Sequence, residues 1–267
     1  FTVTYDVTDS QLNTAVQVIR TVNVIDTTSP IISLSGLSTV NIQAGSPYTD
    51  SGATASDNLD GDITGSIVSN ATSISTLSLG SFTVTYDVTD SQLNTAVQVT
   101  RTVNVIDTII PVGSASINNG DIYTRNSSST LTLSCTDLGG CTQMRISTDG
   151  TLDTEAYVAF ATLSPVTLLG PDGTNTIKVQ FKDVSGNESV QVSDDIILDR
   201  ISPTVTYVGG PANGASYVFG SVPSAPTCNA TDTTSGVDAS GCIVTGYGTS
   251  VGVHTLNAKA KDNAGNE

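Results

Sequence analysis

Aspartate supplies most of the reactive chemistry in this chain. Of 25 acidic residues 22 are aspartates, and only Glu155, Glu188 and Glu267 are glutamates. A short-armed carboxylate suits turns and the ligation of hard cations better than helix surfaces. The aspartates recur in two frames. Asp-x-x-x-Asn occurs at Asp9–Asn13, Asp90–Asn94, Asp183–Asn187 and Asp262–Asn266, and Asp-x-x-x-Pro at Asp26–Pro30, Asp107–Pro111 and Asp199–Pro203. From each Asn to the next frame's Asp is 13, 13 and 12 residues. Such a rhythm marks tandem modules, which work by length and stiffness more often than by a catalytic cleft.

Residues 1–26 return as 82–107 with one difference, Ile19 for Thr100, at an offset of 81 residues. That period is too long for a helical repeat and fits a β-sandwich of roughly 80–100 residues. The elements between the aspartates read the same way. Phe82, Val84, Tyr86 and Val88 alternate with Thr83, Thr85 and Asp87, the period-two pattern of a half-buried strand. Val97, Val99, Val103 and Val105 continue one phase, which Arg101 breaks, as Arg20 does in the other copy; a bulge or a snorkelling side chain would accommodate it. Residues 176–182 and 254–261 repeat the strand pattern, placing His254 in a sheet. Turn pairs Asn119-Gly120, Asp149-Gly150 and Asp172-Gly173 separate the strands. No amphipathic helix of ten residues is visible, so the class is all-β.

Composition excludes several functions. With 25 acidic and 9 basic residues the net charge is −16, which argues against nucleic acid and against anionic lipid. No apolar run approaches a membrane span. His254 is the only histidine, Trp is absent, and neither a nucleophile elbow nor a P-loop occurs, so the chain is expected not to be an enzyme. The sequons at Asn70, Asn126, Asn187 and Asn229 are expected to be chance matches in a Ser/Thr-rich chain. The four cysteines form two close pairs, Cys135 with Cys141 and Cys228 with Cys242, neither at metal spacing; they predict two local disulfides and an oxidising, extracellular setting. The chain opens in mid-strand at Phe1 and stops at Glu267, so an internal segment of a longer protein is expected.

The run Pro47-Tyr-Thr-Asp-Ser-Gly-Ala-Thr-Ala-Ser-Asp-Asn-Leu-Asp-Gly-Asp-Ile-Thr64, followed by Phe82-Thr-Val-Thr-Tyr-Asp-Val-Thr-Asp90, resembles bacterial immunoglobulin-like repeats related to hyalin repeats. Lys182-Asp-Val-Ser-Gly-Asn187 and Lys261-Asp-Asn-Ala-Gly-Asn266 resemble them more loosely. The resemblance implies tandem immunoglobulin-like β-sandwiches in an extended array: a C-terminal hairpin over 1–26, modules over 27–107 and 108–199, and a module over 200–267 lacking its last strand. Within 27–107 the residue pattern itself predicts strands at Ile31–Leu34, Val40–Ala44, Ala53–Ala55 and Ile63–Val68, then a final hairpin of Phe82–Val88 and Val97–Ile106. The resemblance also implies adhesin or stalk modules whose partners are neighbouring modules of the same longer chain, without naming one ligand.

On that topology the start of the first strand, the loop between strands two and three, and the last hairpin loop share one pole. Asp26, Asp57, Asp60, Asp62 and Asp90 then meet at the junction before residue 27. Their mutual repulsion would be relieved by Ca²⁺, which takes 6–8 oxygens; the alternative is a solvated loop whose Asp and Asn side chains cap their own turns. The loop is not an EF-hand, since Leu59 and Asp62 stand where that motif needs an acid and a glycine. Weaker candidates lie downstream: Asp107, Asp137 and Asp183, then Asp199, Asp232, Asp238 and Asp262, where a disulfide replaces the run of carboxylates. The expected function is a calcium-stiffened stalk or fibre of a surface protein. Glycan- or protein-binding modules, accessory domains of a secreted enzyme and a self-assembling filament remain as alternatives.

Overall fold

A computed structural model describes residues 1–267, of which 45% are strand. Two compact units divide it, Phe1–Asp107 and Thr108–Glu267.

In the first unit, alternation does what the sequence predicts. Along Gly80–Asp87 the side chains of Val84 and Tyr86 are buried while Thr83 and Ser81 face out. Val99–Ile106 pairs with it antiparallel, from Gly80 opposite Val105 to Tyr86 opposite Val99. Thr39–Gln43 adds to the far edge of Val99–Ile106 in parallel, and Val68–Ser69 completes four strands. The facing sheet is Ile31–Leu34, Ala53–Asp57 and Gly61–Asp62. Ile32 and Ala55 from one sheet meet Val84, Tyr86 and Val103 from the other, so two half-apolar sheets close on one core. The expected strand Ile63–Val68 is instead a 3₁₀ turn, Thr64–Ser66, with a two-residue strand after it. The Asp62 carboxylate accepts from Thr64 N–H at 3.0 Å, and Thr64 Oγ1 accepts from Ala55 N–H at 3.0 Å, which bends the chain inward.

Arg101 overturns both accommodations expected for it. The ladder runs past it without a bulge, and its side chain is buried, 1% exposed. Nε donates to Leu37 O at 2.9 Å, Nη2 to Ser35 O and to Gly52 O at 3.1 Å, and Nη1 to Tyr86 Oη at 2.9 Å and to Asp50. Asp50 also accepts from the Tyr48 and Tyr86 hydroxyls, both at 2.6 Å, and from Gly52 N–H at 2.9 Å. A buried charge is tolerable only when paired and fully hydrogen-bonded, and this pair is. Burial pushes the Asp50 carboxyl up, but the bonds from Tyr48, Tyr86 and Arg101 outweigh it and hold it below the ordinary range. Burial, then the Asp50 bond, pushes the Tyr86 hydroxyl up.

The hairpin Thr2–Tyr5/Val18–Thr21 repeats this register. Without a facing sheet its side chains stay outside: Val3 is 40% exposed where its counterpart Val84 is 0%.

In the second unit, Val112–Ile117, Ser128–Thr136 and Leu163–Thr167 form one sheet. Tyr123–Thr124, Val192–Leu198, Gly173–Asp183, Cys141–Ser147 and Val158–Ala159 form the other. Ile117, Leu131, Met144, Ile177, Phe181 and Leu198 fill the space between them. Phe181 lies so close to Gly113 that a Cβ there would collide with its ring and with Ser134 O, so only glycine fits. Residues 200–267 form two hairpin-like pairs, Thr204–Val208 with Thr227–Thr231 and Val237–Thr245 with Asn257–Asp262.

Both expected disulfides are present. Cys135–Cys141 joins consecutive strands at a Cα separation of 6.1 Å, and Cys228–Cys242 does so at 5.7 Å. Loops this short contribute about 2–3 kcal/mol each in the chain-entropy picture, so they pin loops that the strands already place.

Candidate metal centre

Each Asp-x-x-x-Asn frame folds into the same loop. Asp90 Oδ1 accepts from Gln92 N–H at 2.9 Å and Asn94 N–H at 2.7 Å, while Oδ2 accepts from Asn94 Nδ2 at 2.8 Å. Asp9, Asp183 and Asp262 bind Asn13, Asn187 and Asn266 in the same way. Burial raises the Asp90 carboxyl, and the Asn94 side chain and loop amides more than reverse this, leaving it lowered. The fourth loop position needs a left-handed backbone: Gly186 and Gly265 supply it at φ 91° and 90°, whereas Leu12 and Leu93 adopt φ 68° and 69°. A side chain there is strained by about 1–2 kcal/mol. Leu93 is 83% exposed, so Leu93→Gly loses no packing and is expected to raise stability by up to about 1 kcal/mol, net of glycine's entropy. A lowered midpoint in urea unfolding would contradict this reading of the turn.

The Asn amide does a second job. Asn94 Nδ2 also donates to the Asp26 carbonyl at 3.3 Å, and Asn266 Nδ2 to the Asp199 carbonyl at 2.9 Å. The loop thereby holds the first residue of the Asp-x-x-x-Pro frame against itself. Asp57 ends the strand Ala53–Asp57, with Oδ2 accepting from Leu59 and Asp60 N–H of the turn that follows at 2.7 and 3.1 Å. As a result Asp26, Asp57 and Asp90 each present a carboxylate oxygen, all within 4.8 Å of one another. Asp26 Oδ1 accepts from Thr28 N–H at 3.0 Å, but Asp26 Oδ2 is shielded from solvent and accepts no hydrogen bond. No Lys or Arg pairs with any of the three.

Asp60 and Asp62 do not join this group. Asp60 turns to Ser91, accepting from its N–H and Oγ at 2.8 Å each, and Asp62 caps Thr64; neighbouring donors outcompete the pole for both.

In the second unit Asp199, Asp232 and Asp262 come together within the same 4.8 Å limit. There the acids are better satisfied: Asp199 Oδ2 accepts from Ser235 Oγ at 2.6 Å and Ser235 N–H at 3.1 Å. Asp238 stays out, capping Ser240 N–H at 2.6 Å. Asp137, which accepts from Gly139 N–H at 2.7 Å, and Asp183 also lie within 4.8 Å of one another. Asp107 is the last residue of the first unit and accepts from Gln43 Nε2 at 3.0 Å. His254 lies outside any strand, its Nε2 2.9 Å from Ser250 O, because the strand expected around it begins only at Asn257. Sequence reasoning missed Asp50, although the charge of Arg101 in a core phase was a signal that an internal acid must answer it.

Two antiparallel sheets closed face to face, with the last strand met in parallel by an early one, define an immunoglobulin-like β-sandwich. Residues 32–105 match the family model described as bacterial surface protein, Ig-like domain. That match and the two disulfides mark an extracellular or surface domain of bacterial type. No helix is long and apolar enough to cross a membrane. No curated protein matches the chain. Among solved structures, a lipoprotein from Bacteroides thetaiotaomicron is 16% identical, covering 58% of this chain and 61% of its own, at a TM-score of 0.26. Fibronectin(III)-like modules of Clostridium thermocellum CbhA are 16% identical, covering 63% of this chain and 94% of theirs, at 0.28. The structure of CBM51-2 in complex with GlcNAc and INT domains from Clostridium perfringens ZmpB is 18% identical, covering 63% and 48%, at 0.25. The chain thus spans less than two thirds of the lipoprotein and about half of the ZmpB structure. Likenesses this loose fix neither an arrangement nor a ligand.

Proposed function

We propose that this chain is a non-catalytic part of a bacterial surface protein, in which Ca²⁺ held by Asp26, Asp57 and Asp90 locks the Asp26–Pro30 segment to the sandwich that follows it. The observation that carries this is the Asp26 carboxylate, whose solvent-shielded Oδ2 has no donor and which stands within 4.8 Å of the Asp57 and Asp90 carboxylates with no Lys or Arg paired to any of them. Such a group is costly unless something positive meets it. Ca²⁺ binds oxygen at about 2.3–2.6 Å, so two ligands of one ion stand up to roughly 5 Å apart. Three oxygens within 4.8 Å satisfy that limit. The ion would exchange mutual repulsion for a clamp between three segments far apart in the chain, and a stalk built of such modules would bend less where the clamp closes. Asp199, Asp232 and Asp262 would form a weaker site, since Ser235 already satisfies Asp199. Display or adhesion is the role such stiffened modules would serve, with neighbouring modules of the same protein as partners.

Calorimetric titration of the 267-residue chain with CaCl₂ tests the reading. The expected result is saturable binding with a dissociation constant on the order of 10⁻⁴–10⁻³ M, the range of extracellular modules, with the tighter phase absent in Asp57→Ala. A flat titration at millimolar calcium would refute it.

A further inference from the structure

The Asp26 and Asp199 poles match position by position. Asp26 and Asp199 each accept, through Oδ1, from the amide two residues on: Thr28 N–H at 3.0 Å and Ile201 N–H at 3.1 Å. The carbonyl of each accepts from the Asn of a hairpin loop, Asn94 or Asn266. The turns that bring Asp57 and Asp232 match as well. In Asp57-Asn-Leu-Asp-Gly61 and Asp232-Thr-Thr-Ser-Gly236 the first carboxylate accepts from the amides two and three residues on, and the closing glycine has φ 72° or 77°. The two turns differ in the residue before that glycine, Asp60 in one and Ser235 in the other. Ser235 is buried, and its Oγ and N–H donate to Asp199 Oδ2 at 2.6 and 3.1 Å. Asp199 is 0% exposed, with both carboxylate oxygens hydrogen-bonded. A carboxylate in the place of Ser235 accepts and cannot donate. Asp60 takes Ser91 N–H and Oγ as its donors, and Asp26 Oδ2, the counterpart of Asp199 Oδ2, is left shielded and without one.

We infer that this one turn position, Asp60 or Ser235, determines whether a pole depends on the cation. The inference rests on the calcium reading of Asp26, Asp57 and Asp90. Ser235 closes the Asp199 pole with a hydroxyl proton, so that pole keeps its form without metal. Asp60 withholds a donor from Asp26, so the first pole closes only when calcium supplies the positive charge. A carboxylate oxygen held by a short hydroxyl bond must give that bond up to meet a metal, which lowers its net affinity. The chain therefore carries one calcium-conditional pole and one permanent pole, and withdrawing calcium loosens it at Asp26 while the segment after Asp199 stays fixed.

The test is calorimetric titration of the full chain with CaCl₂ after changes at the two positions. Asp60→Ser, which offers Asp26 a hydroxyl, should weaken the tighter phase about tenfold or more. Asp60→Ala, which loses the same contacts to Ser91 without adding a donor, should stay close to the unmodified chain. In an Asp57→Ala background, where the tighter phase is absent, Ser235→Ala should strengthen the remaining binding by about tenfold. Unchanged binding in Asp60→Ser, an equal loss in Asp60→Ala, or no gain from Ser235→Ala overturns the inference and leaves the Asp26 site standing. A flat titration in the unmodified chain and in every variant overturns the calcium reading itself, and the inference with it.

Discussion

Replacing Arg101 by alanine should destabilise the first unit by about 3–5 kcal/mol, a large part of the stability of a domain this size. The loss comes less from the missing attraction than from what remains: Asp50, its side chain only 12% exposed, with its counter-charge gone, and the Leu37 and Ser35 carbonyls without the guanidinium donor. Arg101→Lys should rescue little, because one ammonium cannot reach acceptors spread around a planar guanidinium. The repeat supplies its own control. Arg20 occupies the same place in an almost identical sequence but is exposed, its guanidinium only lying over the Tyr5 ring at 6.0 Å, so Arg20→Ala should cost less than about 1 kcal/mol. Urea unfolding followed on the two variants decides the matter, and equal effects would remove the internal ion pair as a cause of stability. The same network sets an acid limit. Asp50 has a folded value below its unfolded one, near 3.9, so its contribution is complete above that pH and is lost as pH falls through the lowered folded value. Arg101→Ala should flatten this acid transition.

Calcium should give the second large effect. At a hundredfold excess over its dissociation constant, one ion bound only by the folded state adds about 2.7 kcal/mol. For a domain of this size that corresponds to a rise in melting temperature of about 10 °C or more over chelator. Asp57→Asn should abolish most of the rise, while Asp60→Asn should keep it, since Asp60 serves Ser91 and not the cluster. Asp26→Asn carries a further sign: it removes the shielded, unmet charge, so the metal-free protein should become more stable even as its response to calcium disappears. A melting temperature indifferent to calcium in the unmodified chain would leave the aspartates as turn caps alone.

Much of this was legible in the residues, for identifiable reasons. Strand alternation showed Val84 and Tyr86 as inward because a pleated backbone has only two faces. The meeting of Asp26, Asp57 and Asp90 was legible because topology alone brings an early strand start, a loop and a late hairpin to one pole. Asp60 and Asp62 could not be separated from Asp57 that way: within one tight loop, side-chain direction is decided by which local donor is nearest, here Ser91 and Thr64. The partnership of Arg101 with Asp50 spans 51 residues and belongs to neither recurring frame, so no spacing announced it. The 3₁₀ turn at Thr64–Ser66 was hidden for a related reason, since Ile63 and Ile67 pack inward from a turn as readily as from a strand. The strand pattern over 254–261 overshoots at its start, since the strand begins only at Asn257.

The most direct measurement is a high-resolution crystal structure of the chain grown with calcium, inspected at the Asp26 carboxylate. The account predicts a single strong peak within about 2.3–2.6 Å of oxygens from Asp26, Asp57 and Asp90. Three carboxylates splayed into solvent around ordinary water, with Asp26 turned outward, would contradict it.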